Sequence, residues 1–138
     1  MKLLLPAFIA VLGFSSCSLN PGSGSLASPD VNGEYLTQHW VHSREEEPPN
    51  STVEIYRPNG PRDFPPSRFR MRYIFEEGGT CSWYYLAPDD AHYFRPGSWR
   101  VVENNVLEIV QGDDTVHYRV VELTEEVLRL RRIDTAAG

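Results

Sequence analysis

Three short clusters in this chain gather residue types that bind metals or move protons. Asp89-Asp90-Ala91-His92 offers three ligands in one stretch, Asp113-Asp114 follows Gly112, and His39 and His42 lie three apart. Each has a simpler structural use. A hard cation wants more oxygens, and zinc more nitrogen or sulfur donors, than such a segment supplies. Asp after Pro88 closes a turn by bonding its own backbone. His39 and His42 point to opposite faces if they share a strand, because successive side chains alternate. No metal and no cofactor is expected. For catalysis the chain holds no Gly-x-Ser-x-Gly, no His-Glu-x-x-His, no Cys–His motif and no phosphate-cradling glycine loop. Cys81, between Thr80 and Ser82 in a β-prone stretch, is expected to be a buried, inert thiol. These residues point to a binder and not to an enzyme.

The cysteine with a chemical role is Cys17. One positive residue, Lys2, precedes an apolar run from Leu3 to Phe14, the length of a signal-peptide core and too short to span a bilayer. Phe14-Ser15-Ser16-Cys17 then resembles the bacterial lipobox, in which signal peptidase cuts before a cysteine that has received a diacylglycerol thioether. The resemblance implies that residues 1–16 are a lipoprotein signal peptide and that Cys17 is the lipidation site, carrying acyl chains such as palmitate. Several chains, each gaining about 0.8 kcal/mol per buried CH₂, make a durable membrane anchor. Ser18 follows the cysteine in place of Asp, which by the same resemblance implies export to the cell envelope and the outer membrane. Loss of Lys2 with the signal leaves the rest more acidic than the whole chain's net charge of −6. That balance argues against a nucleic-acid partner, which would need excess positive charge. With Cys17 acylated, Cys81 is left without a partner for a disulfide within the chain.

Those features sit on a simple plan. Residues 17–32, rich in Gly, Ser and Pro, form a flexible tether; 33–134 form one domain; 135–138 are a tail. From Gly33 the hydrophobic period is two. In Arg68-Phe69-Arg70-Met71-Arg72-Tyr73-Ile74-Phe75 the aromatics and Met71 share one face and the arginines the other. Alternation therefore predicts strands at Tyr35–His42, Thr52–Arg57, Arg68–Phe75, Thr80–Leu86, Ser98–Glu103, Val106–Val110, Thr115–Leu123 and Val127–Ile133. Turn chemistry separates them, for example Glu77-Gly78-Gly79, Asn104-Asn105 and Gly112-Asp113-Asp114. About eight short antiparallel strands must close into a barrel or stack as a sandwich. Short sequential hairpins favour an all-β, antiparallel up-and-down barrel.

Gly97-Ser98-Trp99 followed by Asn104-Asn105-Val106-Leu107-Glu108-Ile109 resembles the central strand pair of small bacterial lipocalin-like domains. Tyr118 through Leu130, with its Leu123-Thr124-Glu125-Glu126 turn, resembles their closing hairpin. The similarity runs from Gly33 to about Ile133. It implies a calycin-type barrel that binds a small apolar or amphipathic molecule, with Arg129, Arg131 or Arg132 stacked on Tyr35 or Trp40. Phe69, Met71, Tyr73 and Phe75 are expected inside, with Trp99, Val101 and either the Cys81, Trp83, Tyr85 row or its Ser82, Tyr84, Leu86 alternate. Rings of that size leave room only near one mouth, so the expected ligand-binding residues are Trp83, Tyr85, His92, Tyr93 and Trp99. The alternative is a filled barrel that acts on an envelope protein as an interaction or inhibitor module. If Cys17 carries the anchor, the protein expressed with its signal in a suitable bacterium partitions into detergent. Cys17→Ser abolishes that partitioning, and mass spectrometry finding an unmodified N-terminus elsewhere refutes it.

Overall fold

A computed structural model describes residues 31–60 and 62–134. The expected signal peptide, Cys17, most of the expected tether and the tail lie outside the described residues. A four-residue helix, α1 (Gly33–Leu36), leads into eight strands: β1 (His39–His42), β2 (Val53–Pro58), β3 (Arg72–Phe75), β4 (Thr80–Leu86), β5 (His92–Val102), β6 (Val106–Gln111), β7 (Asp114–Leu123) and β8 (Leu128–Ile133). They form a closed antiparallel barrel, consistent with a calycin-type fold.

The order round the barrel is β1-β2-β8-β7-β6-β5-β4-β3. From β3 to β8 each strand pairs with the next, but β2 and β3 flank β1 on opposite sides. The expected plain up-and-down order therefore fails at this one place. The reason is local. Pro58, Pro61, Pro65 and Pro66 crowd the connection, and proline lacks the N–H that a hairpin ladder needs. Residues 62–71 instead form a strap beside the end of β1, where Arg70 reaches the His42 carbonyl. Trp40 of β1 faces the core while Val41, facing outward, is also fully buried.

Arg70 pins the strap. Its guanidinium donates to the carbonyls of His42 at 2.8 Å and Pro65 at 2.7 Å. It grips both oxygens of Glu45 at 2.9 and 2.6 Å, and it lies over the Phe64 ring. Glu46, beside it in a 3-10 turn (Arg44–Glu46), receives Arg57 and Arg62 at 2.8 Å. Hydrogen bonds from Arg70 and Arg57 hold the Glu45 and Glu46 carboxyls at about 2. Both pins thus stay charged through the mildly acid range. What they add to stability is complete above the ordinary carboxylate value of 4.5 and is lost only as pH falls through about 2.

The two ends differ. At one, α1 plugs the barrel: Leu36 is fully buried, Trp40 Nε1 donates to the Leu36 carbonyl at 2.9 Å, and Gln38 reaches the Glu125 carbonyl on the β7–β8 turn. Above the plug Phe75, Leu107, Ile109, Leu128 and Leu130 fill the interior. Trp40 is sealed there, so the expected stacking of a late arginine on it is not made; Arg129 pairs instead with Glu122 at 3.0 Å. The strand expected from Tyr35 begins at His39, because Asn32 caps the N–H of Glu34 and starts the helical turn. Of the two possible β4 rows, Cys81, Trp83 and Tyr85 face inward.

Gly97 of β5 registers with Cys81 of β4 and lies close against β6. A Cβ there would collide with the Val110 carbonyl oxygen and stand 3.2 Å from Cys81 Sγ and Trp83 Cδ1. Gly97→Ala is therefore expected to destabilise the barrel by about 1–3 kcal/mol. The urea midpoint measures it, and an unchanged midpoint refutes the close packing.

Candidate functional site

At the end opposite α1 the barrel stays open. Its inward rows end there in polar residues: His42 from β1, Glu54 and Tyr56 from β2, Tyr73 from β3, Gln111 from β6, Asp114 and Tyr118 from β7 and Arg132 from β8. With Arg44, Met71, Thr115 and Val116 they line a recess of about 520 Å³. That lies within the usual range of small-molecule sites. The polar lining follows from strand length. The strands carry their alternation past the packed layer, and the next inward positions meet solvent.

The floor is made of tyrosines. Tyr56 and Tyr73 are almost completely buried, with ring centroids 5.8 Å apart, and Tyr118 is 4% exposed. Gln111 Nε2 donates to the Tyr73 hydroxyl at 2.9 Å. Tyr56 donates to Glu54 Oε2 at 2.8 Å. Burial pushes the Tyr56 and Tyr73 phenols well above their ordinary value and raises Tyr118, reinforced by the charge of Glu54. The His42 ring stacks on Tyr56, with centroids 5.0 Å apart, and its Nε2 meets Glu47 Oε1 at 2.5 Å. The same Glu47 oxygen accepts from the Ile55 N–H, so the imidazole is held by a carboxylate fixed to the backbone.

The five residues expected to bind a ligand fall in three places. Trp83, Tyr85 and Tyr93 do come together. Trp83 and Tyr85 meet edge to face at 5.4 Å, Tyr85 and Tyr93 at 5.5 Å, and Arg95 lies over the first two rings at 5.2 and 4.9 Å. Trp83 is buried, and its Nε1 has no hydrogen-bond acceptor among the described residues. Trp99 lies at the plugged end, packed edge to face on Phe75 and donating to the Glu76 carbonyl at 2.9 Å. His92 is on the outer face, against Phe69 and Tyr84. A strand of six-residue separation spans about 20 Å, so Tyr93 and Trp99 cannot share one pocket.

The remaining candidates resolve simply. His42 faces the recess and His39 faces out against Phe94, on opposite faces as alternation requires. Asp89 accepts the Ala91 N–H at 3.2 Å in a turn, and Asp90 pairs with Arg68. Among the described residues no three of His, Cys, Asp and Glu are grouped to hold a metal. Cys81 is buried, and burial pushes its thiol up to about 11. Glu54, Tyr56, Gln111, Tyr118 and Arg132 went unforeseen. Their signal was a polar residue at the mouth end of an inward row, which becomes visible only once register is known. Comparison with family models, curated proteins and solved structures finds no match for this chain.

The buried phenols give a direct test. Tyr56, Tyr73 and Tyr118 stay protonated while the barrel is folded, and the stability this gives is full below about pH 10 and lost above it. Phenolate absorbance should therefore rise in a late step that coincides with loss of the near-ultraviolet circular dichroism. A smooth titration of all tyrosines with the fold intact refutes the burial.

Proposed function

We propose that this protein is an exported binding barrel of the bacterial envelope, held to a membrane by a lipid on Cys17, that takes a small amphipathic molecule in its open mouth. The supporting observation is the recess: about 520 Å³ bounded by a sealed aromatic floor, with polar groups converging from six strands. A closed barrel can enclose a small ligand where its own side chains leave room, and among the described residues they leave it at the mouth. The ligand's polar head lies among Glu54, Tyr118, Gln111 and Arg132, and its apolar part against Met71 and Val116. In this reading the protein binds and does not catalyse. Because the chain enters the barrel through α1, a lipid anchor holds the domain by its plugged end.

One observation favours a second reading, a protein-interaction module. On the outside of β4 and β5, Leu86 and Phe94 are exposed beside Tyr84, His92 and Phe69, with Tyr93 exposed at the rim. Such clusters mark protein contacts when no chain covers them.

The two are separated by filling the recess. Val116→Trp places an indole in the cavity without touching the outer face. Amphiphiles titrated below their micellar concentration, followed by calorimetry, are expected to bind wild type saturably and Val116→Trp at least about tenfold more weakly. Equal binding by the folded variant, or none by wild type, moves the function to the outer aromatic face.

A further inference from the structure

We propose that the recess selects a zwitterionic head group, with Glu54 taking the ligand's cation and Arg132 its anion. This rests on the reading of the mouth as a ligand site and names the chemistry of what it holds.

The register puts the two charges side by side. Tyr118 of β7 pairs directly with Arg132 of β8, and on the other side of β8 Glu54 pairs with Leu130, one inward position below Arg132. Cross-strand neighbours stand about 5 Å apart and diagonal ones about 7–8 Å. Glu54 and Arg132 therefore face the same small volume from adjacent strands, yet they form no ion pair. The guanidinium has no carboxylate partner among the described residues, and the one hydrogen bond given to the Glu54 carboxylate comes from neutral Tyr56.

Charge balance and desolvation then decide the ligand. A purely anionic head would gain Arg132 and meet Glu54; a purely cationic one would gain Glu54 and meet Arg132. An uncharged head would cover both charges while neutralising neither, and covering a charge without a counter-charge is costly. A head with both signs avoids each penalty. The rim repeats the arrangement, with Arg44 and Asp114 both lining the recess. The tyrosines add direction. The Tyr73 hydroxyl accepts from Gln111, while Tyr118 is the cross-strand neighbour of Arg132, where its O–H can donate to an anionic oxygen. The anion therefore sits toward β7 and β8, and the cation toward β2.

Four probes built on a straight eight-carbon chain vary the head, the zwitterion keeping the shortest free alkyl part: 2-aminooctanoate, octanoate, octylamine and octyl glucoside. Each is titrated by calorimetry into the full chain carrying Cys17→Ser, purified without detergent. 2-Aminooctanoate is expected to bind about tenfold tighter than each of the others. Glu54→Gln, which keeps an acceptor for Tyr56, should reduce it to the level of octanoate, and Arg132→Gln to the level of octylamine. The order of the four probes on unmutated side chains stands whether or not a variant folds. Octanoate, octylamine or octyl glucoside matching 2-aminooctanoate overturns the zwitterion assignment and leaves the recess as a ligand site. Binding of none of the four to the folded chain overturns both.

Discussion

The mouth of this barrel depends on a guanidinium buried outside it. Arg70 ties the strap to the end of β1 by holding the His42 carbonyl and Glu45 together. Those contacts fix where β1 stops, how the chain turns over it, and which way His42 points into the recess. A buried arginine is costly unless its donors are met, and here two carbonyls and a bidentate carboxylate meet four of its five N–H groups, with Phe64 beneath the plane. Val41, on the outward side of β1, is fully buried, so this four-residue strand is packed on both faces. Without that packing, a four-residue strand would have little to hold it between β2 and β3.

Inside, the molecule is divided along its axis. Leucines, Ile109, Phe75 and Trp40 fill the plugged end, where the indole of Trp40 donates to the helix carbonyl. Toward the mouth the alternating rows continue, but their side chains carry hydroxyls, amides and charges. Tyr56, Tyr73 and Tyr118 mark the boundary. Their rings belong to the packed layer and their hydroxyls to the wet one, a use suited to a side chain with an apolar body and a polar tip. The same rings that stabilise the barrel thus present donors and acceptors in fixed positions.

Much of the fold was legible because alternation is a strong signal. β4 was bounded correctly from Thr80 to Leu86, and β6, β7 and β8 to within a residue. The errors have physical causes. Tyr35 alternates well enough with its neighbours to continue a strand, but the Asn32 cap turns the backbone first. Arg68 to Met71 keep the strand pattern, yet they lie in the strap, where Arg70 needs two carbonyls and a carboxylate that no ladder would offer. β5 starts earlier than its alternation suggested, because Tyr93 and Arg95 continue the inward row beyond Pro96, pairing with Tyr85 and Trp83. The site was less legible than the fold. Aromatic residues drew attention to Trp99 and His92, but which end of the barrel is open depends on α1 and the strap, and neither shows in strand periodicity.

The strand order also sets how the chain must be completed. β2 lies between β1 and β8, and Val53 pairs with Arg131 near the far end of the domain. As the chain is made, β2 gains its first neighbour at once and waits for the second until nearly all the rest has emerged. Until then β2 and the growing end of the meander each present a row of unpaired N–H and C=O groups, open to pairing with another chain. Such non-local pairing slows folding, since the long loop must close before the contacts reward it. The last strand is therefore the lock of the barrel. A chain cut short before Leu128 keeps most of its sheet yet exposes two sticky margins, and its fate is association with its own kind.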